Sequence, residues 1–188
     1  MTVTALDPNC ALIVIDLQKG IVALPAAHPT EGVVKNAAAL ADAFRAHGLP
    51  VVLVNVVGGP PGRTEQQRTL RDLPPDWADL IPELDRQARD HVVTKRTPGA
   101  FTGTDLETYL KSLEVTQVVV VGVATSNGVE VTARQAYELG FNVTLAIDAM
   151  TDLQEDAHIW SVGRVFPKIG ETGTTQDIID LLDQRSIR

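Results

Sequence analysis

The chain carries one cysteine in 188 residues, which rules out an intramolecular disulfide or a thiolate metal cluster and suits a reducing cytoplasm. Aromatic residues are scarce at 4%, so the core must be built from aliphatic side chains. No apolar run approaches the roughly 18 to 20 residues that a membrane span needs. Met1 to Asn9 offers neither a basic segment nor a long apolar stretch, and a secretory signal is not expected. Basic residues are outnumbered 16 to 24, a net charge of −8, which argues against nucleic acid or an anionic membrane as the main partner. Any anionic substrate must then be met by a local basic cluster. Neither phosphate-loop pattern, GxGxxG or GxxxxGK followed by Ser or Thr, occurs, so nucleotide binding is not expected.

What is present is a series of aliphatic runs. Ala11 to Ile15, Val51 to Val54, Val118 to Val121 and Val143 to Ile147 each read as a strand buried on both faces. His91 to Thr94 is a shorter candidate, and Val165 with Phe166 a weak sixth. Helical patterns lie between them. Val33, Ala37, Leu40, Ala41 and Phe44 recur at helical spacing until Gly48 and Pro50. Thr104 and Glu107 form a capping-box pattern before a helix expected to bury Leu106, Leu110 and Leu113. Val129, Thr132, Ala133, Ala136, Tyr137 and Gly140 make one stripe opposite Glu130, Arg134 and Glu138. Thr151 and Gln154 are placed to cap a further helix, and a last one buries Ile178, Leu181 and Leu182. Buried strands alternating with amphipathic helices predict one domain over residues 1–188, a three-layer α/β/α Rossmann-like open sheet of about six parallel strands. Gly58 to Asp90 is a long connection with a short helical pattern from Trp77 to Leu84, a length often found in lids over sites.

In open parallel sheets ligands bind outside the carboxyl ends of the strands, so the polar residues there are the candidates. The first strand ends in Asp16, followed by Gln18; the one at His91 runs into Lys95 and Arg96; the one at Val143 ends in Asp148. The strand at Val118 leads into Gly122 to Gly128, a turn that opens the striped helix and offers backbone amides to a developing negative charge. An acid directly after five apolar residues needs a partner, and Lys95 is the candidate. A neighbouring ammonium lowers the pKa of Asp16 while burial raises it, and the sequence leaves that balance open. Thr125 and Ser126 read as helix caps, with a nucleophilic role as the alternative, since no nearby histidine is visible to activate them.

These segments resemble the isochorismatase-like superfamily, which includes nicotinamidases, N-carbamoylsarcosine amidases and isochorismatases. The resemblance rests on Ala11 to Gln18, on Thr94-Lys95 leading to Ala100-Phe101-x-Gly103-Thr104-x-Leu106, on Val121 to Thr125 with Val129 and Thr132-Ala133, and on Ala146 to Ala149. It implies a hydrolase with a catalytic Asp-Lys-Cys trio and a non-proline cis peptide, which here falls at Val123-Ala124. Carried over by position, the aspartate is Asp16 and the lysine Lys95, but the cysteine position holds Gly128. Cys10, at the far end of the first strand, does not replace it. The histidines with which nicotinamidases bind metal have no counterpart in Asn55 to Arg63, so neither metal nor cofactor is expected. Isochorismatases likewise carry glycine at that position and cleave a vinyl ether without a nucleophilic side chain.

The leading expectation is therefore acid-assisted hydrolysis of a small, isochorismate-like substrate. Asp16 is the proposed acid and Lys95 its tuning partner. Gln18 is the candidate orienting group, Arg63 and Arg96 the carboxylate binders, and Phe101, Val123, Ala124, Thr125 and Gly128 the other pocket positions. Two alternatives stand beside it: an amidase or esterase using Ser126 or Thr125, and a non-catalytic ligand-binding or scaffold protein. The resemblance also implies a homo-oligomer, dimer or tetramer. Trp160 and His158 are placed in core or subunit contact, His158 reaching the pocket if a neighbouring lid does.

Overall fold

Four aliphatic runs become the centre of a parallel sheet in the computed structural model, which describes residues 3–66 and 73–185. The strands are β1 (Cys10–Ile15), β2 (Val51–Val56), β3 (His91–Lys95), β4 (Gln117–Val123), β5 (Asn142–Thr151) and β6 (Glu171–Gly173). They lie in the order β3-β2-β1-β4-β5-β6, every pair parallel. The helices are α1 (Lys19–Val22), α2 (Thr30–Ala46), α3 (Leu106–Ser112), α4 (Glu130–Glu138), α5 (Glu155–Trp160) and α6 (Thr175–Arg185). No helix among the described residues is long and apolar enough to cross a membrane.

All six residues of β1 are buried, because the alternation of a strand sends them to two different layers. Ala11, Ile13 and Ile15 pack with Leu106 and Leu110 of α3 and Ala133 and Ala136 of α4. Cys10, Leu12 and Val14 pack with Leu40 and Phe44 of α2 and Ile178 and Leu182 of α6. Each large aliphatic side chain so buried contributes about 1.5–3 kcal/mol.

Strand order reverses between β1 and β4, and the crevice at such a switch point is where open α/β sheets bind ligands. The two strands meet there through a glycine. Gly122 pairs with Ile15, adopts φ +116°, and leaves no room for a side chain, since a Cβ would sit 2.0 Å from the Ile15 carbonyl oxygen.

Several local expectations change. Val165 and Phe166 are helical, and the sixth strand is the short edge segment Glu171–Gly173. Leu113 is 43% and Tyr137 54% exposed, because α3 stops at Ser112 and the α4 stripe is narrower than its sequence pattern. The capping box is half made: the Thr104 hydroxyl accepts from Leu106 N–H at 3.3 Å, while Glu107 pairs with Lys111. Thr151 ends β5 rather than capping a helix, and Gln154 precedes α5 without a side-chain cap bond.

The long connection is anchored over its second half. Gln18 pairs with Leu80, Lys19 bridges to Asp76 and Asp79, and Asn55 donates to the Ala78 carbonyl at 2.9 Å. The Trp77 ring lies against Gly20 so closely that a Cβ there would be 1.9 Å from its Cδ1. Trp77 lies in a turn, and only Pro82–Leu84 forms a short helix. These contacts tie residues 76–80 to the body of the domain, and residues 67–72 of the connection lie outside the described residues.

Candidate active site

Asp16 follows the last residue of β1. Its N–H still bonds Val54 at 2.9 Å, and the chain then turns with φ +51°, a conformation that aspartate tolerates better than most residues. Lys95 closes β3 with its side chain only 1% exposed. Its ammonium donates to Asp16 Oδ2 at 2.8 Å, to the Pro98 carbonyl at 2.8 Å and to the Thr97 carbonyl at 3.3 Å. Three hydrogens meet three acceptors, so the ammonium is held in place. Asp16 Oδ1 has no partner, alone among buried side-chain polar atoms of the described residues. Burial drives the Asp16 carboxyl up to about 6, against the opposing pull of Lys95. The balance left open by the sequence falls on the side of burial.

Gly128 faces this pair. A Cβ on it would lie 2.9 Å from Ile15 Cγ2, 3.3 Å from Asp16 Oδ2 and 3.5 Å from Lys95 Nζ, so a side chain at this position would abut the acid and the ammonium. The peptide bond Val123-Ala124 is cis. Beyond it, residues 125–129 form a wide helical turn in which Val129 N–H reaches back five residues to the Ala124 carbonyl at 3.1 Å. Several amides of the turn are already engaged: Asn127 N–H bonds the Ala124 carbonyl at 3.0 Å, and Ser126 N–H bonds Asp152 Oδ2 at 2.7 Å. An anion-binding role is thereby removed from the Ser126 and Asn127 amides. Neither Thr125 nor Ser126 caps the helix through its side chain. The Thr125 hydroxyl is fully buried and stands 2.8 Å from His158 Nδ1, a histidine neighbour that the sequence did not reveal.

An isochorismatase domain model matches residues 10–177. The chain belongs to the isochorismatase family, a family of hydrolases. The isochorismatase family protein YwoC of Bacillus subtilis is 38% identical over 177 residues, covering 90% of this chain and 92% of its own. YecD of Escherichia coli, from the same family, is 38% identical over 182 residues, covering 92% and 95%. Among solved structures, an isochorismatase family protein from Burkholderia thailandensis superposes with a TM-score of 0.91 at 40% identity, over 95% of this chain and 98% of its own.

Within this isochorismatase-family fold the remaining candidates separate. Gln18 is fully buried and holds backbone instead of water: its Nε2 donates to Val56 and Trp77 carbonyls at 3.1 and 3.2 Å, and its Oε1 accepts from Val56 N–H at 2.8 Å. It fixes the long connection to β2. Phe101 packs towards Phe141, ring centroids 6.1 Å apart, and Phe141 precedes β5, at the amino end of the sheet. Arg63 is exposed on the long connection. Arg96 is also exposed and lies along Gly58, whose Cβ would be 3.6 Å from its Nη1; no contact joins either arginine to Asp16. Cys10 is buried at the start of β1, the opposite end from Asp16.

Two residues change role and two are new. Asp148 is not a strand end, because β5 continues to Thr151 through a register irregularity opposite Val120 and Gly122. Its Oδ1 accepts from Thr175 N–H and hydroxyl at 2.7 and 2.9 Å, holding the start of α6. Asp152 is the acid at the true strand end. His28, from the connection between α1 and α2, reaches Thr151 Oγ1 with its Nδ1 at 3.1 Å and stands edge-on to His158, ring centroids 4.7 Å apart. Trp160 is 64% exposed and so not core.

Proposed function

We propose that this chain hydrolyses the vinyl ether of a small, carboxylate-bearing, isochorismate-like metabolite, with Asp16 as general acid and no covalent enzyme intermediate. One observation carries the reading. Asp16 is a buried acid with one oxygen bound to Lys95 and the other unpartnered, beside a glycine that supplies no nucleophile.

The chemistry follows from that arrangement. Protonated Asp16 delivers its proton to the terminal methylene carbon of the enolpyruvyl group, leaving an oxocarbenium ion. Water adds to the carbon bearing the ether oxygen and returns a proton to the Asp16 carboxylate. The resulting hemiketal breaks its bond to the ring oxygen as its hydroxyl becomes the pyruvate carbonyl, and the proton that the hydroxyl releases passes to the ring oxygen, so that pyruvate and the ring alcohol leave. Lys95 stays charged throughout and stabilises the carboxylate between the two transfers. Thr125 and Gly128 are the turn positions assigned to a substrate carboxylate, with Val123 and Ala124 as the adjoining wall. Arg63 and Arg96 are the cations assigned to capture at the rim.

The deciding experiment is incubation with isochorismate while pyruvate release is followed; a folded protein that releases none overturns the substrate assignment. The role of Lys95 is tested by pH. An acid raised to about 6 is protonated in about one molecule in ten at pH 7, so activity should fall as pH rises through 6. Because Lys95 opposes that rise, Lys95→Met is expected to move the alkaline limb of kcat/KM upward by about one to three pH units. A limb that moves down, or stays, removes Lys95 from this role.

A further inference from the structure

The Thr125 to Gly128 turn has two sides. One faces Asp16 and Lys95; the other is braced by groups that the proposed reaction does not use. Thr125, fully buried, meets His158 Nδ1 at 2.8 Å. His158 is backed by His28, whose backbone N–H and ring Nδ1 both address Thr151 Oγ1, at 3.2 and 3.1 Å. The neighbouring Asp152 takes Ser126 N–H on Oδ2 at 2.7 Å and Gln154 N–H on Oδ1 at 3.3 Å, while its carbonyl accepts from Ala27 N–H at 2.8 Å. Two separate parts of the chain, the end of β5 and helix α5, thus meet residues 125 and 126, and the connection after α1 backs both of them.

We propose that His158 is a positioning residue, which holds the 125–128 turn in its site-forming shape by accepting the Thr125 hydroxyl on Nδ1 and does so only while its imidazole is neutral. The inference deepens the proposed function, on which its kinetic part rests, and names a regulation of the same site. A neutral imidazole protonated on Nε2 presents a bare Nδ1 to the buried hydroxyl. Protonation puts a hydrogen on Nδ1 and reverses the contact: the imidazolium donates to the hydroxyl oxygen, and the buried threonine hydrogen is left with no other partner among the contacts of the described residues. The titratable groups facing His158 are His28 from the connection before α2, Asp152 beyond β5 and Glu155 on α5 itself. Burial, then His28, lowers its pKa below 6.5, against the two acids.

The sign of the pH effect follows. Asp16 must carry its proton, which requires pH below about 6, and His158 must lack one, which requires pH above its own depressed value. Activity therefore occupies a window on the acid side of neutrality, with Asp16 setting the alkaline limb and His158 the acidic one.

The test has a spectroscopic arm and a kinetic arm. In protein labelled with nitrogen-15, His158 at pH 7.5 is expected to show an unprotonated Nδ1 and a protonated Nε2. In an Asp16→Asn background, which removes the competing titration, the Gly128 amide resonance is expected to move with the same midpoint as the His158 ring, and to stop doing so in His158→Asn. An Nδ1–H tautomer, or a Gly128 amide indifferent to the ring, overturns the proposal without reference to any substrate. In the kinetic arm, His158→Leu and Thr125→Val are expected to slow pyruvate release by about tenfold to a hundredfold, the scale of a small misplacement in a site. His158→Asn, which keeps an acceptor near the Nδ1 position, is expected to stay within about threefold of wild type, on the scale of one modest hydrogen bond, and to lose the acidic limb. An asparagine variant as slow as the leucine variant, or one with the acidic limb intact, overturns it. If wild type releases no pyruvate, the function proposed above fails, while tautomer and amide titration still decide the brace.

Discussion

Asp16→Asn is expected to slow pyruvate release from isochorismate by at least about 10² to 10⁴, the usual contribution of a positioned general acid. The substitution keeps the shape of the side chain and an oxygen for Lys95, but it removes the transferable proton. The loss should appear equally in kcat and in kcat/KM, because the proton moves only in the transition state. Folding has to be followed in parallel, since a buried ammonium at 2.8 Å from the altered group loses its counter-charge, and a thermal melt separates the two effects. Full activity in a folded Asp16→Asn protein would falsify the acid mechanism. A fall confined to KM would instead place Asp16 in binding.

The largest effect on stability is expected at Gly122. An alanine there puts a methyl group 2.0 Å from the Ile15 carbonyl oxygen, within the β1–β4 pairing, at φ +116°. The neighbour is not a flexible side chain that can swing aside; the obstacle is the Ile15 backbone at the centre of the sheet. Overpacking of a core alone costs about 1–3 kcal/mol, and an unfavourable backbone conformation adds about 1–3 kcal/mol. Gly122→Ala should therefore lose several kcal/mol, or fail to fold, in urea denaturation. Gly32, inside α2 with nothing within 4 Å of a built Cβ, is the matched control: Gly32→Ala should gain about 0.5–1 kcal/mol from helix propensity. Similar urea midpoints for the two variants would contradict the close approach at Gly122.

The parts of this fold that could be read in advance were those with one physical cause. Leu12, Val52 and Val119 lie in unbroken aliphatic runs, and Leu145 in one interrupted only by Thr144, because each run is covered on both faces, and each became a strand. Glu171–Gly173 has no such run, since a three-residue edge strand buries little, and Val165-Phe166 looked more strand-like than it is. Asp16 and Lys95 were visible because a charge abutting a buried strand needs a partner. The site's other half was hidden by geometry. The irregular register of β5 carries the strand past Asp148 and puts Asp152 at its end. His28 and His158, 130 positions apart, meet through connections whose paths no periodicity encodes. Gln18 misled for a related reason: its position beside Asp16 suggested chemistry, whereas a strand end that receives a long connection also needs backbone partners.

The saturated ammonium of Lys95 separates attraction from contact. With every hydrogen already directed at Asp16 or at a carbonyl, it cannot offer a new bond to an arriving carboxylate without giving one up. Its influence on a ligand is a field acting through a poorly screened interior, constant in direction whatever the ligand does. Any new hydrogen bond to a ligand must therefore come from atoms other than Lys95 Nζ, unless one of the three existing bonds is surrendered.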